Sequence, residues 1–185
     1  MLNKKTKLIL PEGEFSTMLT FYDESDKQML KNIYKQWVDL SNALENFGGR
    51  RVNIPELLSE AIYCIHFNAG RMSEGIPKVQ TSFDCYNPSG NKRIQVKACS
   101  VEDDLTSFGP KSVWDEIYFI HFYPNKKYDG SYAIYYLDNN LIYNHKVNKD
   151  QTMREQQLAK RRPRMSLLKE IIVPQNIKPV ITSSL

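Results

Sequence analysis

The sequence has no run of 18 consecutive apolar residues, and it has no internal repeat, low-complexity tract or long linker. The first absence argues against a membrane-spanning helix. Residues 1–11 combine lysines with an apolar run of three residues, Leu8–Leu10, which is too short for the apolar region of a signal peptide. We therefore expect a protein of the cytoplasm with no membrane partner.

Cysteine and histidine are scarce, with three residues of each. No two cysteines form a C-x-x-C pair, which argues against a zinc cluster, and their odd number argues against a disulfide scaffold. The histidines likewise lack metal-ligand spacing. We expect small buried side chains for Cys64, Cys85 and Cys99, and structural roles for His66, His121 and His145.

The composition is that of one soluble globular domain. Of 185 residues, 41% are apolar and 25% are charged, and 11 Tyr, 8 Phe and 2 Trp can support a core, so intrinsic disorder is not expected. The net charge is +4. Residues 150–185 contain seven basic and only three acidic side chains, which equals the whole excess. The C-terminal part is therefore predicted to meet an anionic partner.

Apolar periodicity near 3.6 predicts helices at about residues 26–47 and 55–67, within an N-terminal helical part of about residues 1–70. Gly48-Gly49 ends the first helix. A polar helix over about 151–160, ending before Pro163, opens a C-terminal basic segment of about 150–185. The apolar stripe of the first helix comprises Leu30, Ile33, Trp37, Leu40, Leu44 and Phe47.

Between these helices the period changes to two, which predicts a catalytic sheet within about residues 76–137. Strands are predicted at 79–86, 92–99, 117–123 and 132–137, with a short helical turn at 112–115. The order of elements indicates a single α/β (α+β) domain, residues 1–185, with a central mixed β-sheet flanked by helices.

The first two strands predict a hairpin whose faces differ in polarity. A turn centred between Ser89 and Gly90 pairs Asp84 with Gln95 and Ser82 with Lys97, so one face is wholly polar. A one-residue slip would mix both faces, which favours this register. The opposite face is apolar and consists of Phe83, Cys85, Ile94, Val96 and Ala98.

The polar face has a chemical use. A carboxylate such as Asp84 can bind Mg²⁺, whose other ligands are commonly waters and a substrate phosphate. A neighbouring ammonium such as Lys97 can orient the attacking water or stabilise the charge that develops on phosphorus. Spacing alone also allows the plainer interpretation of a half-exposed strand surface.

Asp84, ten intervening residues and then Gln95-Val96-Lys97 resemble the PD-(D/E)xK nuclease motif, with Gln95 in the place of the usual acidic residue. Three further stretches, 50–60, 107–111 and 161–166, are similar to small type II restriction endonucleases, in particular those that cut the interrupted palindrome GCNGC. The resemblance covers about residues 34–179.

This resemblance implies a restriction-endonuclease-like core and a Mg²⁺-dependent endonuclease of a prokaryotic cell. The implied catalytic residues are Asp84, Gln95, Lys97 and Glu60, with Glu56 as an alternative acid. The implied metal ligands are Asp84, Glu60, Gln95 and Val96. The expected partners are double-stranded DNA and a second copy in a homodimer, and a cognate methyltransferase would act on the same site without needing to bind the enzyme.

The dense run Arg161-Arg162-Pro163-Arg164 predicts DNA contact, because an arginine fork matches the two acceptors of guanine in the major groove. Along an extended segment Met165 and Leu167 should point into the protein. The predicted DNA-binding residues are Arg161, Arg162, Arg164, Ser166, Gln156, Gln157, Lys111 and Ser107.

Three other functions fit parts of this pattern. A repair or recombination nuclease would cut by DNA structure, without a specific sequence. A non-catalytic, sequence-specific DNA-binding protein would use the arginine-rich run alone, and Gln95 gives this idea some weight because an amide is a weak metal ligand. An RNA-directed enzyme is compatible with the charge, although the sequence has no RNP-type strand aromatics.

Overall fold

The computed structural model describes residues 1–76, 79 and 82–185 of the chain. Its main feature is an eight-stranded mixed sheet in the order β1-β2-β3-β4-β5-β7-β8-β10. Among the pairs that the described strands form in this sheet, only β5–β7 is parallel. The strands are β1 (Leu2–Leu10), β2 (Gly13–Phe21), β3 (Gly70–Met72), β4 (Cys85–Asn87), β5 (Lys92–Cys99), β6 (Thr106–Ser107), β7 (Glu116–His121), β8 (Ser131–Leu137), β9 (Arg164–Met165) and β10 (Ile181–Ser184).

Helices cover both faces of the sheet, which confirms the predicted fold class. The helices are α1 (Lys27–Asn46), α2 (Glu56–Phe67), α3 (Asn139–Asn144) and α4 (Met153–Leu158), followed by a π-helical turn at Leu168–Ile172. Among the described residues, no helix combines the length and the apolar character needed to cross a bilayer.

Alternation along β7 separates two hydrophobic cores. Tyr118 and Ile120 pack into the core that includes α1 and α2, whereas Ile117 and Phe119 pack into a second core with α3, α4 and the π-helical turn. A parallel-paired strand covered on both faces is expected to be apolar, and residues 117–120 of β7 meet this requirement.

The N-terminal part contains more than the two predicted helices. Residues 2–21 form an antiparallel hairpin, β1–β2, whose turn includes Gly13 at φ 133°. Leu8, Leu10 and Leu19 are its buried apolar side chains, and they pack in a third core with Phe83. Lysines dominate the first half of β1, and this masks the period-two pattern of the strand.

The helices α1 and α2 confirm the predicted positions, but the stripe of α1 is only partly buried. Leu30 and Trp37 lie in the core together with Tyr34, whereas Leu40 is 53% and Phe47 95% exposed. The stripe therefore extends beyond the surface that α1 packs against.

Three further predictions need correction. Residues 112–115 form no helical turn; Trp114 is buried and its indole N–H donates to the side-chain oxygen of Asn139 at 2.8 Å. The strand predicted at 79–86 begins only at Cys85, and residues 80 and 81 of it lie outside the described part. The helix predicted at 151–160 is shorter, at Met153–Leu158.

The three cysteines are free and buried, as predicted. The sulfur atoms of Cys64 and Cys85 lie 3.6 Å apart between α2 and β4. Two histidines have hydrogen-bond partners: His66 bonds the hydroxyl of Tyr132 and His145 bonds Glu170. These contacts give both histidines structural roles.

Candidate active site

The β4–β5 hairpin has the predicted register. Cys85 lies opposite Ile94, and the amide of Asp84 donates to the carbonyl of Ile94 at 2.9 Å. This register brings Asp84 beside Gln95, whose side-chain amide donates to Asp84 Oδ2. The backbone N–H of Val96 donates to the same oxygen at 2.8 Å. The carboxylate of Asp84 is thus held in place by the next strand.

One predicted member of the polar face lies elsewhere. The regular strand begins at Cys85, so Ser82 does not pair with Lys97. The hydroxyl of Ser82 instead accepts a hydrogen bond from the backbone N–H of Val113 at 2.7 Å. The polar face therefore consists of Asp84, Gln95 and Lys97.

Glu60 reaches the same place from α2. It is 7% exposed and forms an ion pair with Arg71 of β3. Because Arg71 lies opposite Cys85 in the β3–β4 pair, this ion pair stands next to Asp84. Arg71 was not predicted, since no spacing in the sequence links a residue of the third strand to a helix carboxylate.

Burial shapes the acidity of both carboxyl groups. Desolvation raises the pKa of Asp84 to about 7, although the Lys97 ammonium opposes this rise and the Glu60 carboxylate adds to it. Desolvation also raises the pKa of Glu60, against the effect of the Arg71 guanidinium. The site therefore holds two interacting buried carboxyl groups that burial favours in the neutral form.

The carboxylates open onto a cleft of about 560 Å³. Glu60, Asp84 and Lys97 border it, and the segment 100–107, of which every residue except Glu102 lines the cleft, forms one of its walls. Glu56, the alternative acid, also borders it from the first turn of α2. A smaller groove of about 210 Å³ lies beside Glu60 and Asp84 and includes Arg71. The structure thus brings three of the predicted catalytic side chains, those of Glu60, Asp84 and Lys97, to the cleft surface. The fourth, Gln95, is 2% exposed and lies behind Asp84.

The donor set fits a hard divalent cation. Two carboxylates that burial destabilises in the charged form gain from a nearby cation, and oxygen donors suit Mg²⁺. Among the described residues no three His, Cys, Asp or Glu side chains form a metal cluster. The two interacting carboxyl groups of the cleft are those of Asp84 and Glu60.

The acidic loop 102–104 is engaged in other contacts. Glu102 pairs with Lys126 and Asp103 with Lys169. Asp104 is buried and accepts hydrogen bonds from residues 166–168. This loop is therefore a poor alternative metal site.

The arginine-rich segment, residues 161–166, is exposed where the arginines lie. Arg161, Arg162 and Arg164 are exposed, and Met165 and Leu167 are buried as predicted. Ser166 corrects the prediction of a DNA-facing hydroxyl. It is 7% exposed and donates to Asp104, because the chain turns inward there to begin the π-helical turn.

The structure joins the two stretches in which DNA contacts were predicted. Ser107 lies opposite Arg164 in the β6–β9 pair, and the amide of Phe108 donates to the Pro163 carbonyl at 3.0 Å. The side-chain amide of Gln157 donates to the Gly109 carbonyl at 2.9 Å, so it serves this junction.

The remaining predicted DNA contacts differ in exposure. Lys111 is exposed and Gln156 is half-buried. The hydroxyl oxygen of Ser107 is buried in the cleft wall and has no hydrogen-bond partner among the described residues.

Comparison with known proteins gives a consistent result. The family described as Bsp6I restriction endonuclease matches residues 22–174. The chain is 33% identical over 163 residues to the type II restriction enzyme Bsp6I of Bacillus sp. (strain RFL6). The matched residues cover 85% of this chain and 87% of that protein. No solved structure matches the chain.

Proposed function

This chain belongs to the Bsp6I restriction endonuclease family of type II, site-specific deoxyribonucleases, and from that premise we propose how it acts. It hydrolyses phosphodiester bonds of double-stranded DNA in a Mg²⁺-dependent reaction, by in-line attack of water at a short palindromic sequence of the form GCNGC. The observation that carries this proposal is the convergence of Asp84, Lys97 and Glu60 on one cleft.

The metal would be held by the carboxylates of Asp84 and Glu60, the side-chain oxygen of Gln95 and the backbone carbonyl oxygen of Val96. When bound, Mg²⁺ supplies a Lewis acid that polarises the scissile phosphate and acidifies a bound water. Gln95 and Val96 donate to Asp84 and fix its carboxylate, and Arg71 does the same for Glu60. These contacts preorganise the acidic pair before substrate arrives.

Lys97 acts on the reacting groups. Its ammonium orients the attacking water and stabilises the negative charge that develops on the phosphoryl oxygens. Lys97 lies on the strand that carries Gln95, and its ammonium is 5.9 Å from the centre of the Phe108 ring. A charge fixed on a rigid strand needs little reorganisation during the reaction, which makes Lys97 effective in this role.

Recognition is assigned to the arginine-rich segment. Arg161, Arg162 and Arg164 would contact guanine edges or phosphates, with Gln156 beside them. Lys111 and Ser107 would bind phosphate oxygens, Ser107 only once its buried hydroxyl is uncovered. A palindromic target fits a two-fold symmetric homodimer with one active site for each strand.

The biological setting follows from this activity. An enzyme that cuts a short sequence would also cut the DNA of its host. A cognate methyltransferase acting on the same sequence, without binding the enzyme, would protect the host. We place the protein in the cytoplasm of a prokaryotic cell, where this DNA is found.

The decisive experiment incubates purified protein with phage DNA, with Mg²⁺ or with EDTA, and sequences the fragment ends. We expect discrete fragments only with Mg²⁺, all ending at one short palindrome, and protection when that palindrome is methylated. Cleavage that follows branched structure would favour a repair nuclease. Salt-sensitive binding without cleavage would favour a non-catalytic DNA-binding protein.

A further inference from the structure

The wall of the cleft formed by residues 100–107 connects the catalytic strand to the arginine-rich segment. Strand β5, which carries Gln95 and Lys97, ends at Cys99, and the wall follows directly. At the end of the wall β6 pairs with β9, which contains Arg164. The segment 100–107 therefore links the strand that carries Lys97 to the strand that carries Arg164.

The side chain of Asp104 connects the cleft wall to residues 166–168, which follow the arginines. It is 7% exposed, and its two oxygens accept four hydrogen bonds. Within the wall, the hydroxyl of Thr106 donates at 3.1 Å. The other donors are the hydroxyl of Ser166 and the backbone N–H groups of Leu167 and Leu168, the last two at 3.0 and 3.2 Å.

The neighbouring acids lack this role. Glu102 and Asp103 make ion pairs with Lys126 and Lys169 through largely exposed side chains. Exposed pairs of this kind contribute little to rigidity, because water and salt screen them and the side chains remain mobile. Hydrogen bonds from several donors to one buried carboxylate are stronger and fix geometry. Within the acidic loop, Asp104 is thus the internal anchor.

We propose that Asp104 is a positioning residue that couples recognition by the arginine-rich segment to cleavage at Lys97. An arginine penalises a wrong base only if its backbone cannot shift to make a substitute contact. Because Asp104 binds residues 166–168 to the cleft wall, the backbone of the arginine-rich segment cannot shift to accommodate a wrong base. A mismatch therefore displaces the scissile phosphate from the catalytic groups. This inference rests on the proposed function.

The test compares Asp104→Asn with Glu102→Gln, the same chemical change on an exposed acid of the same loop. The readout is the ratio of cleavage rates between the duplex identified by fragment-end sequencing and a duplex with one changed base pair. We expect Asp104→Asn to lower this ratio about tenfold, since an amide cannot accept all four bonds, and Glu102→Gln to change it less than about twofold.

A double-mutant cycle separates positioning from plain stabilisation. If Asp104 positions Arg164, then Arg164→Ala should change the ratio by less than about twofold in the Asp104→Asn background, although it lowers the ratio strongly on its own. Effects of the two substitutions that multiply independently would overturn the proposal. Should Asp104→Asn fail to fold, Ser166→Ala removes one donor to the same carboxylate and takes its place in the cycle.

A measurement that does not depend on DNA cleavage distinguishes this inference from the proposed function. Amide hydrogen exchange should be faster at Leu167, Leu168 and the β6–β9 pair in Asp104→Asn and unchanged there in Glu102→Gln. Unchanged exchange in Asp104→Asn would overturn the anchoring by Asp104. A wild-type protein that shows this anchoring but cuts no DNA would overturn the proposed function alone.

Discussion

The catalytic hairpin and the arginine-rich segment place their charges in opposite surroundings. On the hairpin, the carboxyl group of Asp84 is largely desolvated and its pKa is raised to about 7. In the segment, the guanidinium groups of Arg161, Arg162 and Arg164 lie on residues exposed to water. Burial thus opposes the charge that the hairpin needs for chemistry, whereas the segment keeps its charges hydrated until DNA arrives.

The difference shows how one chain separates reaction from recognition. A reacting group gains from a dry, preorganised site, because charges there act strongly on the transition state, but it destabilises the fold. A recognising group must leave water reversibly, so it stands on an exposed segment that is anchored through buried neighbours. The anchors here are Met165, Leu167 and the bonds to Asp104.

The strongest test of the hairpin's side of this comparison is Lys97→Ala. We expect it to abolish detectable cleavage, a loss of at least about 10²–10³-fold, because it removes a fixed charge aimed at the reacting phosphate. DNA binding, measured by gel shift in Ca²⁺ or EDTA, should change little. Lys92→Ala, on an exposed residue of the same strand, is the matched control. Near wild-type cleavage by Lys97→Ala would remove the hairpin from the active site.

Asp84→Asn should lose Mg²⁺-dependent cleavage. Asp84 is the only carboxylate on the polar face of the hairpin, so no neighbour on that face replaces its charge. Single-turnover cleavage over a range of Mg²⁺ and Mn²⁺ concentrations measures the loss. Normal cleavage by this variant would mean that other residues hold the metal.

Gln95→Glu is the informative companion to Asp84→Asn. It restores the acidic residue common in the resembled motif, and it places a third carboxylate beside Asp84 and Glu60. We expect cleavage to be retained with an altered metal preference, for instance toward Mn²⁺. Loss of cleavage with every metal would show that the amide of Gln95, which donates to Asp84, is itself required.

The segment's side of the comparison is tested by Arg164→Ala. It should weaken specific binding more than non-specific binding, by about 1–3 kcal/mol for a bidentate guanine contact. Binding to cognate and scrambled duplexes at two salt concentrations gives the measurement. Equal losses on both duplexes, with a salt slope smaller by about one, would reassign Arg164 to a phosphate contact.

The sequence was sufficient where the pattern is local. The register of the β4–β5 hairpin follows from its turn and from strict alternation, and α1 and α2 follow from apolar spacing near 3.6. Pairings that join distant positions carry no such signal. Ser166 was predicted on the surface because its acceptor, Asp104, lies 62 positions away. The Arg71–Glu60 ion pair spans only 11 positions, but it was missed because Arg71 lies on β3, a strand that the sequence pattern did not predict.

The smallest expected effect is on the free energy of unfolding. It compares the buried charge of Asp84 with the exposed charge of Arg164 in the protein without DNA or metal. The pKa of Asp84 is near 3.8 when unfolded and about 7 when folded, so the folded state binds more protons between these values. Its stability therefore falls as pH rises from about 4 to 7. Asp84→Asn removes this loss, and its free energy of unfolding in EDTA should exceed that of wild type at pH 8 but match it near pH 4. Arg164→Ala, which alters a hydrated charge, should show no such pH-dependent gain. Urea unfolding of the three proteins at both pH values makes the measurement. A gain for Asp84→Asn that is equal at both pH values would show that the charge of Asp84 does not destabilise the fold.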